Sequence, residues 1–141
     1  MFTFGGVTMI RGGKINSVEA KRDKQDAIQG LSINIALDDV KADGKNITIS
    51  YTYNAKYEEG VGILKIQGEI FMEEEIKTAK EIVKTWGEKK TLPENFAELV
   101  LNSINYTCGT NGTLVVRTVN LSPPMIPPRI SLAKGAGTAK A

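Results

Sequence analysis

The chain has 141 residues, 41% of them hydrophobic, and 18 basic against 16 acidic side chains give a formal net charge of +2. That is the length of one domain with one core, and so small a charge, spread along the chain, argues against a surface dedicated to phosphates. There is no histidine and a single cysteine, Cys108, which removes the usual catalytic triads, the commonest transition-metal ligand and any internal disulfide.

Neither a metal nor another cofactor is therefore expected, and the lone thiol suits a reducing compartment. No apolar run approaches the roughly 20 residues that span a bilayer, so stable membrane insertion is not expected. The opening Met-Phe-Thr-Phe-Gly-Gly lacks a basic stretch followed by a long apolar one, so it does not read as a secretory signal. The expected location is cytoplasmic, and the Asn-X-Ser/Thr sequons at Asn46, Asn105, Asn111 and Asn120 read as accidental.

The first half of the chain reads as strands. Residues 7–22 suit one long strand, in which Gly12 and Gly13 allow a bulge or bend. The polar stretch from Asp23 to Gly30, with Ala27 and Ile28 inside it, reads as a connection. Leu31, Ile33, Ile35 and Leu37 then alternate with smaller or polar residues, so the second strand has one apolar face. Asp43-Gly44 suits a tight hairpin turn. Ile47, Ile49, Tyr51 and Tyr53 mark a third strand, and Glu58-Glu59-Gly60 a second turn. A fourth strand from about Val61 to Phe71 puts Leu64, Ile66 and Ile70 opposite Lys65, Gln67 and Glu69. Consecutive strands with short turns predict an antiparallel meander.

The period then becomes helical. Ile76, Ala79, Val83 and Trp86 predict a helix opened by Glu73, Glu74 and Glu75, with Glu73 and Lys77 four apart, and closed by Gly87. Leu92-Pro93-Glu94 begins a second helix, with Phe96, Val100, Ile104 and Cys108 as its stripe. Thr113 to Val119 is β-branched and alone would score as a strand, but the stripe continues through Val115 and Val119, so one long helix to about residue 119 is the expectation. Pro123-Pro124 and Pro127-Pro128 stop it. The tail from residue 131 has nothing to bury and is expected to be disordered, leaving residues 1–130 as one α+β domain.

Few residues suggest chemistry. Gly109-Thr110-Asn111-Gly112-Thr113 lacks both the lysine and the preceding strand of a phosphate loop. Asn105, Cys108, Gly109 and Gly112 are small residues on one helical face. Interior glycines cost roughly 1 kcal/mol each, so a close helix contact is expected to compensate, and a subunit interface is a natural place for it. The glutamate run reads as helix-start charge, Asp38-Asp39 as solvated, Cys108 as an inert buried thiol and Trp86 as a core or groove anchor. A sheet covered by helices on one face leaves the other to be hidden by a second sheet or by a client.

The order of elements, with Leu31-Ser-Ile-Asn-Ile-Ala-Leu37, Gly62-Ile-Leu-Lys-Ile-Gln-Gly-Glu-Ile70 and Val119-Asn-Leu-Ser-Pro-Pro124, resembles the SecB export-chaperone family over about residues 7–130. The resemblance implies a four-stranded antiparallel sheet followed by two helices, one of them long. It implies a dimer of dimers with long helices between dimers, and no catalysis. Unfolded or precursor polypeptides would lie in apolar grooves, lined here by Leu31, Ile33 and Ile35, with Ile28 in the crossover above them. Trp86 joins these as a candidate client contact. Residues 130–137 are too short and glycine-rich for the family's C-terminal lid helix, and the acidic tail of many members is missing. Both departures count against delivery to a translocase and leave a general holdase or an antitoxin-associated chaperone open. The alternative from another class is a non-catalytic adaptor that binds one fixed protein through an apolar sheet face, and a small carboxylate-based enzyme comes third.

Overall fold

A computed structural model describes residues 9–124. The expected tail and the end of the expected domain lie outside the described residues. Four strands form one antiparallel sheet: β1 (Met9–Arg22), β2 (Leu31–Asp43), β3 (Asn46–Tyr57) and β4 (Gly62–Glu73). The spatial order is β1-β4-β3-β2, so β2, β3 and β4 are the meander, while β1 pairs with β4 and connects to β2 by a crossover through residues 23–30. That crossover rounds the sheet end at the β3–β4 turn: Asp23 N–H donates to the Val61 carbonyl at 2.8 Å and Glu58 N–H to that of Gly30 at 2.9 Å. Arg22 fastens it further, donating to the carbonyls of Lys24, Asp26 and Asn120.

Two local choices set the meander. Gly44 adopts φ 65 in the β2–β3 turn, a left-handed value that glycine reaches without a Cβ penalty. In β2 a bulge falls between Leu37 and Asp39, and Thr52 donates to the Asp38 carboxylate at 2.6 Å. Leu37-Asp38-Asp39-Val40 breaks the period of two. The extra residue returns Val40 to the apolar face opposite Ile49, where it is buried.

The register places the apolar residues of all three meander strands on one face. Ile47, Ile49, Tyr51, Tyr53, Ala55 and Tyr57 of β3 lie beside Leu64, Ile66, Ile70 and Met72 of β4, all of them buried. The other face carries Thr48, Ser50, Thr52, Asn54 and Lys56 beside Lys65, Gln67 and Glu69, with Ile63 and Phe71 among them. This corrects the expectation that a second apolar face needs cover: apart from Ile63, the alternation sends the Ile, Leu and Tyr side chains of β3 and β4 to the helix side.

Helix α1 (Ile76–Lys89) packs against β2, and α2 (Glu94–Val116) packs against β4 and touches β1. Of the three glutamates only Glu75 stands at the start of α1. Glu73 is the last β4 residue, paired on both sides with Met9 and Asn46, and its carboxylate meets Arg11 at 3.4 Å instead of Lys77. Glu74 is buried, and Glu75 is the extended residue before the helix. The buried stripe of α1 is Ala79, Ile82 and Trp86, with Ile76 exposed. Gly87 lies inside the helix, and Lys90 takes the left-handed closing position, its N–H donating to the Trp86 carbonyl at 2.9 Å.

Residues 113–116 are helical and a three-residue 3-10 turn (Arg117–Val119) follows, so the strand reading of this segment fails. Its threonines are accommodated by back-bonding to helix carbonyls: Thr110 to Tyr106 at 2.9 Å, Thr113 to Gly109 at 2.7 Å and Thr118 to Val115 at 2.7 Å. Threonine splits its rotamers in helices to make such bonds.

Candidate polypeptide-binding surface

Three parts cover the helix side of the sheet: α1, α2 and the segment Leu121–Pro124. The last lies on the β3 tyrosines. Tyr57 donates to the Ser122 carbonyl, Tyr53 to that of Pro124 at 3.5 Å, and Leu121 is buried. Burial raises all three tyrosine hydroxyls above their ordinary pKa, as expected for groups kept neutral in an apolar interior. Cys108 is fully buried and donates to the Tyr51 oxygen at 3.7 Å. Burial pushes its thiol from an ordinary 9.0 up to about 11, against a smaller opposite pull from the Tyr51 hydrogen bond.

The folded protein holds the Cys108 proton where the unfolded chain has lost it, so this stability is complete below about pH 9 and fades as pH rises through about 11. The tyrosines extend the loss above about pH 10. Urea midpoints are expected to fall between about pH 9 and about pH 10, and to fall less steeply in Cys108→Ala. Equal slopes in the two proteins would reject this role for the thiol.

The small-residue face of α2 turns inward. Asn105, Cys108, Gly109 and Gly112 are all buried within the chain. A Cβ at Gly112 would sit 2.7 Å from Leu64 Cδ2 and 3.2 Å from Pro124 Cγ. The close contact that offsets Gly112 is thus with this chain's own sheet and Pro124. This corrects the placement of these four residues at a subunit interface. The outward face of α2 is unusual in another way: no charged residue occurs between Glu98 and Arg117, while Tyr106 is 70% and Leu114 67% exposed.

The candidate groove residues divide. Leu31, Ile33 and Ile35 pair with Tyr57, Ala55 and Tyr53, so their side chains share the apolar face. They are half-buried and packed against the core, and so is Ile28 from the crossover. Leu37, opposite Tyr51, is equally half-buried and completes the row. Its alternation with Ile35 marks it in the sequence as part of the same apolar face. Trp86 is not part of this surface. It lies in the core cluster at 7% exposure, with Lys90 Nζ 5.2 Å from the centre of its ring, a cation–π distance.

The β2 row has a second property. Among the described residues, no strand pairs with the outer edge of β2, and no charged residue occurs from Leu31 to Leu37. Edge strands usually guard themselves with charge, proline or bulges. Here the charges and the bulge begin only at Asp38. An uncharged edge carrying a half-exposed apolar row can accept an extended polypeptide by main-chain pairing and side-chain burial.

Among solved structures, the SecB-like chaperone of Mycobacterium tuberculosis, in complex with a ChAD peptide from the HigA1 antitoxin, matches with a TM-score of 0.57 over 82% of this chain and 85% of that chain, at 11% identity. The fold is SecB-like. No family model matches the chain, and no curated protein matches it in sequence. The SecB-like fold contains both the sheet and the long helix expected from the sequence. Among the described residues no helix is long and apolar enough to cross a membrane.

Proposed function

We propose that this chain is a non-catalytic chaperone of the holdase kind, which binds non-native polypeptides in extended form along β2. The observation that carries this reading is the uncharged, half-buried row Leu31, Ile33, Ile35 and Leu37 on an unpaired strand edge, with Ile28 beside it. The SecB-like fold adds support, since the SecB-like chaperone it matches was solved in complex with a peptide. The adaptor alternative loses its distinguishing feature, because the open face of the sheet is largely polar, with only Ile63 and Phe71 among its β3 and β4 residues apolar. The test is aggregation suppression with several unrelated unfolded proteins. A holdase slows aggregation of all of them, whereas an adaptor protects one at most and an enzyme none. Action in the cytoplasm and a part in protein export belong to this proposal, and export would show as accumulation of unprocessed precursors when the protein is absent from its host.

The same reading includes assembly into a dimer of dimers, now through the outward face of α2. A solvated helix face normally carries charge, whereas this one presents Tyr106, Leu114 and small polar residues, which let a second helix approach to 8–10 Å. Tyr106→Glu combined with Leu114→Lys is expected to lower the mass measured by light scattering at least twofold, with the thermal midpoint of the subunit little changed. An unchanged mass would reject this face as the interface.

A further inference from the structure

The hydrogen bonds at the two ends of β2 fix which of its backbone groups face the free edge. Glu58 N–H donates to the Gly30 carbonyl at 2.9 Å, which places Gly30 and Glu58 in the bonded phase of the β2–β3 ladder. Bonded and non-bonded pairs alternate along an antiparallel ladder. Leu31 and Tyr57, the next pair, are therefore not bonded to each other, and neither are Ile33 and Ala55, Ile35 and Tyr53, or Leu37 and Tyr51. The other end agrees. Asp43 and Asn46 close a two-residue turn, whose closing pair is bonded, and counting back through the bulge at Asp38 gives the same phase. So the N–H and C=O of Leu31, Ile33, Ile35 and Leu37 point away from β3, while those of Ser32, Asn34 and Ala36 bond to it. The outward groups belong to the same residues whose side chains form the half-buried apolar row. The intervening Ser32 and Asn34 side chains are exposed on the polar face.

A strand added antiparallel places bonded residues directly opposite one another, with their side chains on one face. A client residue that exchanges bonds with Ile33 then also lays its side chain on the apolar row, and its two neighbours turn to the polar face. A strand added parallel reverses this: its bonds come from the residues whose side chains face the polar side. Antiparallel pairing is the more stable per residue, and every pairing in this sheet is antiparallel. We infer that β2 takes its polypeptide antiparallel and with a period of two, apolar side chains at alternate positions on the row and polar ones between them beside Ser32 and Asn34. This inference rests on the polypeptide-binding reading. It narrows the substrate class from apolar segments in general to segments with the alternation of a half-buried strand.

The test compares two peptides of one composition with the same soluble flanks. One alternates leucine and serine, and the other carries its leucines in a single block. Only alternate leucines of the block can reach the row, so the alternating peptide is expected to bind at least about tenfold more tightly. It is also expected to shift the methyl resonances of Leu31, Ile33, Ile35 and Leu37. N-methylation of the alternating peptide then reads the direction. On a leucine it removes a donor aimed at β2 and is expected to weaken binding about tenfold. On a serine, whose N–H faces solvent, it is expected to leave binding unchanged. Equal binding of the two peptides, or shifts confined to other residues, overturns the inference and leaves the function standing. Every other pattern of methylation overturns it too, and loss on serine alone marks parallel pairing. If neither peptide binds while unfolded proteins are still held, the inference falls alone. If no unfolded protein is held either, the proposed function falls with it.

Discussion

Gly112→Leu is expected to destabilise the subunit by about 3 kcal/mol or more, at or above the upper end of the usual cost of overpacking a core. A Cβ at this position already meets Leu64 Cδ2 at 2.7 Å and Pro124 Cγ at 3.2 Å, and a leucine adds three more carbons to the same space. Ile66 Cδ1, 3.6 Å away, is in ordinary contact with such a Cβ and closes off a third direction to the longer side chain. Gly112→Ala is the informative control. Its one carbon presses on the far end of a flexible leucine, which can turn, and it gains roughly 1 kcal/mol of helix propensity over glycine. Its urea midpoint is expected to stay near that of the wild type. A leucine variant as stable as the wild type would mean that α2 does not lie on the sheet at this residue. Loss of assembly without loss of subunit stability would return Gly112 to a subunit interface.

Ile33→Ala is expected to act in the opposite manner, on binding more than on stability. A fully buried isoleucine cut to alanine costs about 2–5 kcal/mol. Ile33 is only half-buried, so about 1 kcal/mol is expected from its partial contact with the core. A client that covers the exposed part would lose roughly 1.5 kcal/mol on truncation, more than tenfold in affinity. Asn34→Ala, on the other face of the same strand, is the control and should leave both quantities near their wild-type values. The pair of measurements is thermal unfolding and retention of an unfolded client. A large stability loss with normal retention would assign Ile33 to the core.

Much of this architecture is legible in the sequence because burial on one side imposes a period. The alternation in β2, β3 and β4 shows where each strand lies and which side is apolar, and the helical stripe from Phe96 to Cys108 marks α2 even where threonine and valine favour a strand. The same alternation also carries information about the second face: Thr48, Ser50, Thr52 and Asn54 occupy it. An apolar open face follows only when the strand residues are read as a total instead of by parity. The Asp38 bulge is harder to foresee, since it shows only as a break of period that a strand end would also produce.

The site was less legible, for reasons of partnership. A stripe of small residues reveals that something comes close, but not whether the neighbour is another chain or the same one. Gly112 meets Leu64 and Pro124, which lie 48 positions before and 12 after it, and no local pattern encodes such a contact. Trp86 shares the helical stripe with Ala79, so periodicity alone leaves it equally suited to a core and to a groove. Glu74 is hidden in a run of three glutamates that looks like helix-start charge. Its burial arises because the β4 ladder extends through Glu73 and turns the next side chain inward.

Hydrogen exchange of the protein with and without a stoichiometric unfolded client tests the central claim most directly. A client laid along β2 pairs with its free edge and covers Leu31 to Leu37, so those amides of residues 31–37 that point away from β3 are expected to slow markedly. Those of β3 and β4, already paired on both sides, should change little. Client binding that leaves residues 31–37 unaltered while slowing exchange elsewhere, or an absence of binding to any unfolded polypeptide, would contradict the account.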